Sequence, residues 1–545
     1  MTCMRKTNLL LSLLVVGASA AFTAGCSSDD PPASTSGSSG GSSSGGSSSG
    51  GSSSSGGSSS SGSSGDSSTG PEAKGATVSS YFGHPVTLDG TASTGPGALT
   101  FAWIVKKVPA GSAITTAALT GATTDKPSFV PDLPGTYTLG LTVTSGGATS
   151  SADVVANVVD PPVFYFHTDE DASTGYHASL NVVGASAGEG GTAVGCFSRD
   201  AGSYATLASN TASLGTDWWE APAGQPSRIV YVLDGQAADG GALSVLAATT
   251  SDATCGTAAP KTLDTLAGEP GSVRTFEQPR LSPNGERVAY MRNGPEGARI
   301  VTVGFDGSSS RAIAPLLAYP DGGSNADAGI ADGVRPAARP AWVDATTVAW
   351  VQERDATHWQ VVSAPDTAGA TPTVMMTCTG ETPRQLDLLP SGEVLVVQSA
   401  GVGNARAINL VAYPITAGTK ECGTARPITS VTSTNGGSFA RDFSLSPDKA
   451  RVAYFASDDT TGKLEIFARA VDGSSPAVAV ASPQAGAARG PRWIGGGAFL
   501  TWGASAESFD AGTGTAIAVV SADGGKARAA AVWAGGAPAE ARAPR

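Results

Sequence analysis

One phrase is written twice in this chain. Gln278 to Arg292 reads "QPRLSPNGERVAYMR", and Arg441 to Ala456 reads "RDFSLSPDKARVAYFA". Ser282-Pro283, Arg287 and Val288-Ala289-Tyr290 return as Ser446-Pro447, Arg451 and Val452-Ala453-Tyr454 at one displacement (446 − 282 = 164). A phrase that returns in register is a structural unit that returns, which restricts the fold more than local propensity does.

The unit runs as a polar or Pro-containing entry, a turn, a strand, a second turn and a further strand ending near Asp-Gly. Its strand core occurs as Val163–Phe166, Ile229–Val232, Val288–Met291, Val348–Val351, Val394–Val397, Val452–Phe455 and Phe499–Trp502. Spacings of roughly 45 to 65 residues match one blade of a propeller, in which each small sheet buries its faces only on its neighbours. In Ser282-Pro283-Asn284-Gly285, Pro fixes one backbone angle and Gly supplies the positive φ that reverses the chain. Ser446-Pro447-Asp448-Lys449 puts Lys where Gly is preferred, so strain is expected there. Asp306-Gly307, Asp472-Gly473 and Asp523-Gly524 supply hairpin turns. The first unit begins at its second strand, and a segment after Trp533 is expected to complete it.

"PRLSPNGERVAYMRNGPEGARIVTVGFDGSSSRAI" resembles the TolB-type propeller repeat, and "FSLSPDKARVAYFASDDTTGKLEIFARAVDG" is a second good copy. "PAWVDATTVAWV" and "PRWIGGGAFLTW" are decayed copies with Trp342 and Trp493 where Leu281 stands. Four cysteines fall in the outer-strand regions of neighbouring blades, and "CGTAAP" at 255 matches "CGTARP" at 422. The expected disulfides are Cys196–Cys255 and Cys378–Cys422, as an even cysteine count in an exported chain suggests.

Export is read from the N-terminus. Arg5-Lys6 precede "NLLLSLLVVGASAAF", an apolar run short of the ~20 residues that span a bilayer. Thr23-Ala24-Gly25-Cys26 resembles a bacterial lipobox, with Thr23 in place of the usual Leu, which implies lipidation of Cys26. Ser27 to about Thr69 is almost wholly Ser and Gly, a flexible tether with a root-mean-square reach of ~35–40 Å. The expected localisation is the bacterial cell envelope, lipid-anchored at the outer membrane.

Between the tether and the repeats, strands alternate at period 2 around Asp-Gly, Pro-Gly and Gly-Gly turns. "VTLDGTAST", "LTFAWIVKKVPAGSA" and "PSFVPDLPGTYTLGLTV" resemble the PKD-type immunoglobulin-like domain and its REJ-like relatives. That resemblance makes Trp103 the core tryptophan and implies adhesion, glycan contact or spacing. The usual Asp-Phe-Gly-Asp-Gly stretch after the tryptophan is replaced by Ile104-Val105-Lys106-Lys107. The chain is thus expected to be all-β: a signal peptide (1–25), a lipidated tether (26–73), an Ig-like β-sandwich (74–159), a seven-bladed β-propeller (161–537) with six blades as the alternative count, and a disordered tail (538–545).

A net charge of −13 opposes nucleic acid, whose phosphates demand a basic face. No His-Glu-x-x-His or P-loop occurs, and the Gly-x-Ser-x-Gly strings of the tether are a product of its low complexity. His167 and His177 flank Asp169-Glu170-Asp171, a set of oxygen ligands for a divalent cation or, the plainer account, a solvated loop. Neither metal nor cofactor is assigned. Arg280, Arg339, Arg384, Arg441 and Arg492 stand at or just before the inner strands. They make either a cationic channel mouth for an acidic peptide or glycan, or structural ion pairs between blades. Trp218-Trp219 pose the same choice between platform and packing. The function expected is a non-catalytic scaffold docking a protein or peptide at that mouth. A propeller-type polysaccharide lyase or hydrolase, and a glycan-binding adhesin led by the PKD-like module, are the alternatives.

Overall fold

The structure is a computed structural model. It describes residues 70–534 apart from 172–174, 187–193, 198–206, 238–241, 252–259, 269–274, 295–296, 314–334, 337–339, 356, 384, 401–406, 416–419, 431–439, 458–463, 482–490, 506–513 and 525–526. Among the described residues the regular structure is β-strand and short 3₁₀ turns, and no helix is long and apolar enough to cross a membrane.

Two sheets come first. β1 (Val78–Tyr81), β6 (Ala148–Val159), β5 (Gly135–Ser145) and β3 (Thr100–Lys107) form one in that order, and β2 (Val86–Thr87) pairs β4 (Ser128–Phe129) in the other. β1 runs parallel to β6, while β5 is antiparallel to both of its neighbours. Alternation sends Tyr137, Leu139, Leu141 and Val143 of β5 into a core with Trp103, Val86 and Phe129. Trp103 is 2% exposed, and its indole N–H donates to Thr124 O at 3.0 Å. The Tyr137 hydroxyl donates to Leu133 O at 2.8 Å, which pins the corner before β5.

The seven repeats follow. β7 (Pro162–Asp171), β8 (Gly175–Gly184) and β9 (Val194–Phe197) make the first, and β10 (Leu207–Trp219) opens the second. One parallel pair, Asn210 with His177, joins them into a single seven-stranded sheet. The remaining five repeats are separate antiparallel sheets, each ordered as in the sequence from inside to outside. All seven predicted strand cores lie in strands, and six of them have a partner on both sides. β7 holds the other, and among the described residues it pairs only with β8. The expected completion from beyond Trp533 is not found within the described chain: Arg528–Ala534 is the outermost strand of the last sheet, and residues 535–545 lie outside it. Asp169–Asp171, expected in a loop, extend β7 because the hairpin ladder continues to Asp171 opposite Gly175.

The core explains why these sheets stand as blades. Val288 and Tyr290 pack with Val230 and Val232 of the blade before, while Ala289 and Met291 pack with Trp342 and Trp350 of the blade after. Alternate residues of one strand therefore serve two different cores, and neither face is left for water. The same division recurs between the fourth and fifth, fifth and sixth, and sixth and seventh sheets. A last cluster closes the ring, joining Val163 and Tyr165 to Ile229 and Tyr231 on one side and to Ile494 and Phe499 on the other. This is a β-propeller of seven repeats, the first two joined in one sheet, and six of the seven supply a described inner strand.

Candidate functional site

The inner strands end together. Trp218 and Trp219 close β10, and Leu281, Trp342, Asp387, Leu445 and Trp493 stand on the inner strands of the next five blades. Around them lies a cavity of about 660 Å³, whose wall also includes Ser79, Ser80, Tyr81 and His84 of the first module. A volume in the 300–1,000 Å³ range is typical of a binding pocket. The channel mouth is therefore walled on one side by the edge of the sandwich.

That edge is seated by specific contacts. The Tyr81 hydroxyl donates to Ala221 O at 2.9 Å, and burial, reinforced by Glu220, pushes its pKa up. Phe82 stacks obliquely on Phe499 at 4.7 Å between centroids. Glu220 accepts the backbone N–H groups of Gly495 and Gly496 at 2.7 and 2.9 Å. Burial raises the Glu220 pKa, opposed by those two N–H groups and by Arg492. Gly496 has φ +66°, and a Cβ there would lie 2.6 Å from the His84 ring, so glycine at this position leaves room for the sandwich. The connection is short, Val159 to Pro162. Within it the Asp160 carboxylate takes the Ser186 N–H at 2.8 Å and the Ser186 hydroxyl at 2.5 Å.

Of the five arginines expected at the mouth, two can be followed. Arg492 pairs with Asp217 at 2.9 Å and also donates to Trp218 O, so the last and second blades are bridged. Arg280 meets Asp387 at 3.3 Å. Arg339 and Arg384 lie outside the described residues, and Arg441 is described only as backbone opposite Phe455. Among the described lining residues three cations (Arg280, Lys449, Arg492) face three carboxylates (Asp217, Glu220, Asp387), 3 − 3 = 0. The sequence missed these carboxylates, because Asp217 and Arg492 stand 275 residues apart and carry no shared motif. It also missed Lys449, whose ammonium donates to Asp387 and to Leu388 O at 3.2 and 2.9 Å.

The tryptophans join blades. Trp342 donates its indole N–H to Arg280 O, and Trp493 donates to Ser444 O, each at 2.9 Å. Arg280 and Ser444 are equivalent positions (444 − 280 = 164), so two decayed copies have kept one bond. Trp219 donates to Pro283 O at 2.8 Å. Trp218 is 4% exposed and meets Phe164 edge-on at 4.8 Å. Both residues of the Trp pair are packing groups.

Cys378 and Cys422 come together with Cα atoms 5.1 Å apart, at disulfide distance. Thr377 and Glu421 form a bridge beside them. Cys196 lies in β9, and its expected partner Cys255 falls outside the described residues, as does Cys26. Among the described residues no group of three His, Cys, Asp or Glu side chains is placed to hold a metal ion.

No protein-family model matches this chain. No curated protein matches it either. Among solved structures it is similar to TolB from Acinetobacter baumannii, with 13% identity over 69% of this chain and 81% of that one and a TM-score of 0.37. It is similar to an oligogalacturonate lyase in complex with manganese, with 14% identity over 68% and 86% and a TM-score of 0.41. A further likeness is to a quinonprotein alcohol dehydrogenase-like protein from Bacteroides thetaiotaomicron, at 10% identity over 84% and 94% with a TM-score of 0.35.

Proposed function

We propose that this chain is a cell-envelope lipoprotein, lipidated at Cys26, whose propeller is a non-catalytic scaffold for a protein or peptide docking at the channel mouth. The observation that carries this reading is the cavity itself: about 660 Å³, opening where six inner strands converge, with the first module forming one wall. Cations and carboxylates balance among its described lining residues, which supports docking through shape and local contacts more than through bulk charge.

Polypeptide is favoured over glycan by the state of the aromatic residues. Trp218, Trp342, Trp493 and Phe443 are 4–5% exposed, and the half-buried Trp219 has Arg228 5.4 Å from its ring centre and Gly285 against the ring, so none offers an open ring face on which a sugar would stack. A photo-crosslinking residue at Ser80, which lines the cavity, tests the reading in the native cell. The expected result is a covalent adduct with another polypeptide. Adducts no more abundant than those from Val130, an exposed position of the sandwich outside the cavity wall, would sink it.

A further inference from the structure

The charges at the mouth balance in sum but not in place. Arg492 and Asp217 are matched to each other at 2.9 Å. Glu220 is occupied by two glycine N–H groups on the side of the sandwich seat. That leaves one carboxylate, Asp387, shared between two cations: Arg280 at 3.3 Å and Lys449 at 3.2 Å. Both contacts exceed the ~2.7–2.9 Å of a strong charge-assisted bond. Asp387 is the sole side-chain acceptor of either cation among the described residues. Guanidinium carries five donors and ammonium three; among the described residues Arg280 spends one and Lys449 two, which leaves 8 − 3 = 5 for a ligand.

Lys449 is also held there against its backbone preference. Its φ is +56°, a left-handed conformation that is strained for a residue with a side chain. The equivalent position of the other good copy is Gly285, at φ +70°. A turn that works with glycine in one blade has a strained lysine in another, and that lysine's ammonium points into the cavity wall.

We infer that the corner between Arg280 and Lys449 is a seat for a carboxylate of the bound polypeptide, with Asp387 holding the two cations apart until it arrives. The inference rests on the mouth being a polypeptide site. A carboxylate entering there converts a two-to-one arrangement into two ion pairs, and the partly desolvated wall strengthens both. The carboxylate belongs to an acidic side chain or to a chain end.

Calorimetric titration of the full chain with three peptides separates these. Acetyl-triaspartate amide offers side-chain carboxylates, acetyl-triasparagine acid offers a chain end, and acetyl-triasparagine amide offers neither. One or both of the first two should bind at least ten-fold more tightly than the third, and Lys449→Gly should erase the difference. Lys449→Gly keeps the turn, because glycine is native at position 285; Arg280→Gln is the second variant. Equal affinity for all three peptides, binding of none, or a Lys449→Gly variant that keeps the preference would overturn the seat. Tighter binding of a uronic-acid trimer than of either acidic peptide would overturn the polypeptide assignment. If the Ser80 crosslink survives in Lys449→Gly while no peptide shows a carboxylate preference, the docking site stands and the seat falls.

Discussion

The two good copies of the repeat share one turn and use it differently. In the third blade, the Ser282 hydroxyl donates to Asn284 at 2.7 Å and accepts the Arg287 N–H at 3.0 Å. In the sixth, Ser446 donates to Asp448 at 2.5 Å and accepts the Arg451 N–H at 2.9 Å. The hydrogen bonds are conserved between copies, so Ser-Pro is a backbone requirement in both. The fourth turn residue diverges. A Cβ on Gly285 would lie 2.7 Å from the Trp219 ring, whereas the preceding blade's inner strand meets Lys449 with Asp387 and Leu388 O, which accept its ammonium. What the neighbouring blade presents decides whether the turn packs or binds.

The shared arginine sharpens the contrast. Arg287 reaches Asp366 of the next blade, and Arg311 and Thr302 converge on the same carboxylate; Asp366 is 5% exposed in its side chain. Arg451 makes the corresponding reach, but its partner Asp523 is 92% exposed at 3.4 Å. There the binding comes from Ala522 O and from the Trp493 ring 5.1 Å away. Arg287→Met leaves a buried carboxylate short of a partner and should cost about 3 kcal/mol, while Arg451→Met should cost about 1 kcal/mol. Urea unfolding measures both, and equal losses would break the distinction between a buried and a solvated clasp.

Next in size is a reciprocal exchange at the fourth turn position. Gly285→Ala meets both the positive φ and the Trp219 ring, and should lower stability by about 2 kcal/mol. Lys449→Gly relieves the same backbone strain against the loss of a half-exposed ion pair, for a net gain of about 0.5 kcal/mol. Opposite signs in thermal melts are the expected outcome. A destabilised Lys449→Gly would show that the lysine holds the mouth together structurally.

The smallest effect separates the two turns by pH. Asp448 has its pKa lowered by the Ser446 hydroxyl and the Ala450 N–H, while Asn284 occupies its place in the other copy and does not titrate. A depressed folded-state pKa stabilises above the unfolded value and loses that contribution as pH falls through the folded one. Asp448→Asn should flatten this limb of the acid titration of stability, and an unchanged acid slope would remove the turn from the account.

The repeat was legible because it is periodic. Val288-Ala289-Tyr290 announces a strand buried on both faces, and Arg287, quoted with it, proves to be a clasp between blades. Trp342 and Trp493 were visible as substitutions at the Leu281 position, but their bonds to Arg280 and Ser444 are set by a neighbouring blade that sequence spacing does not show. The mouth was less legible still. Tyr81 finds Ala221 across 140 residues, and Asp387 finds Arg280 across 107, by ring closure rather than by motif. The nearest written sign of the sandwich seat was the Gly495–Gly497 run, whose meaning depends on a histidine in another module.

The parallel pairing of β1 with β6 has a mechanical consequence. Val78 lies opposite Ala156 and Tyr81 opposite Val159, and the propeller begins three residues later. A pull entering ahead of β1 and resisted beyond β6 acts along both strands in opposite senses. The rungs then bear load together in shear, and the first module behaves as a stiff link instead of peeling open one rung at a time.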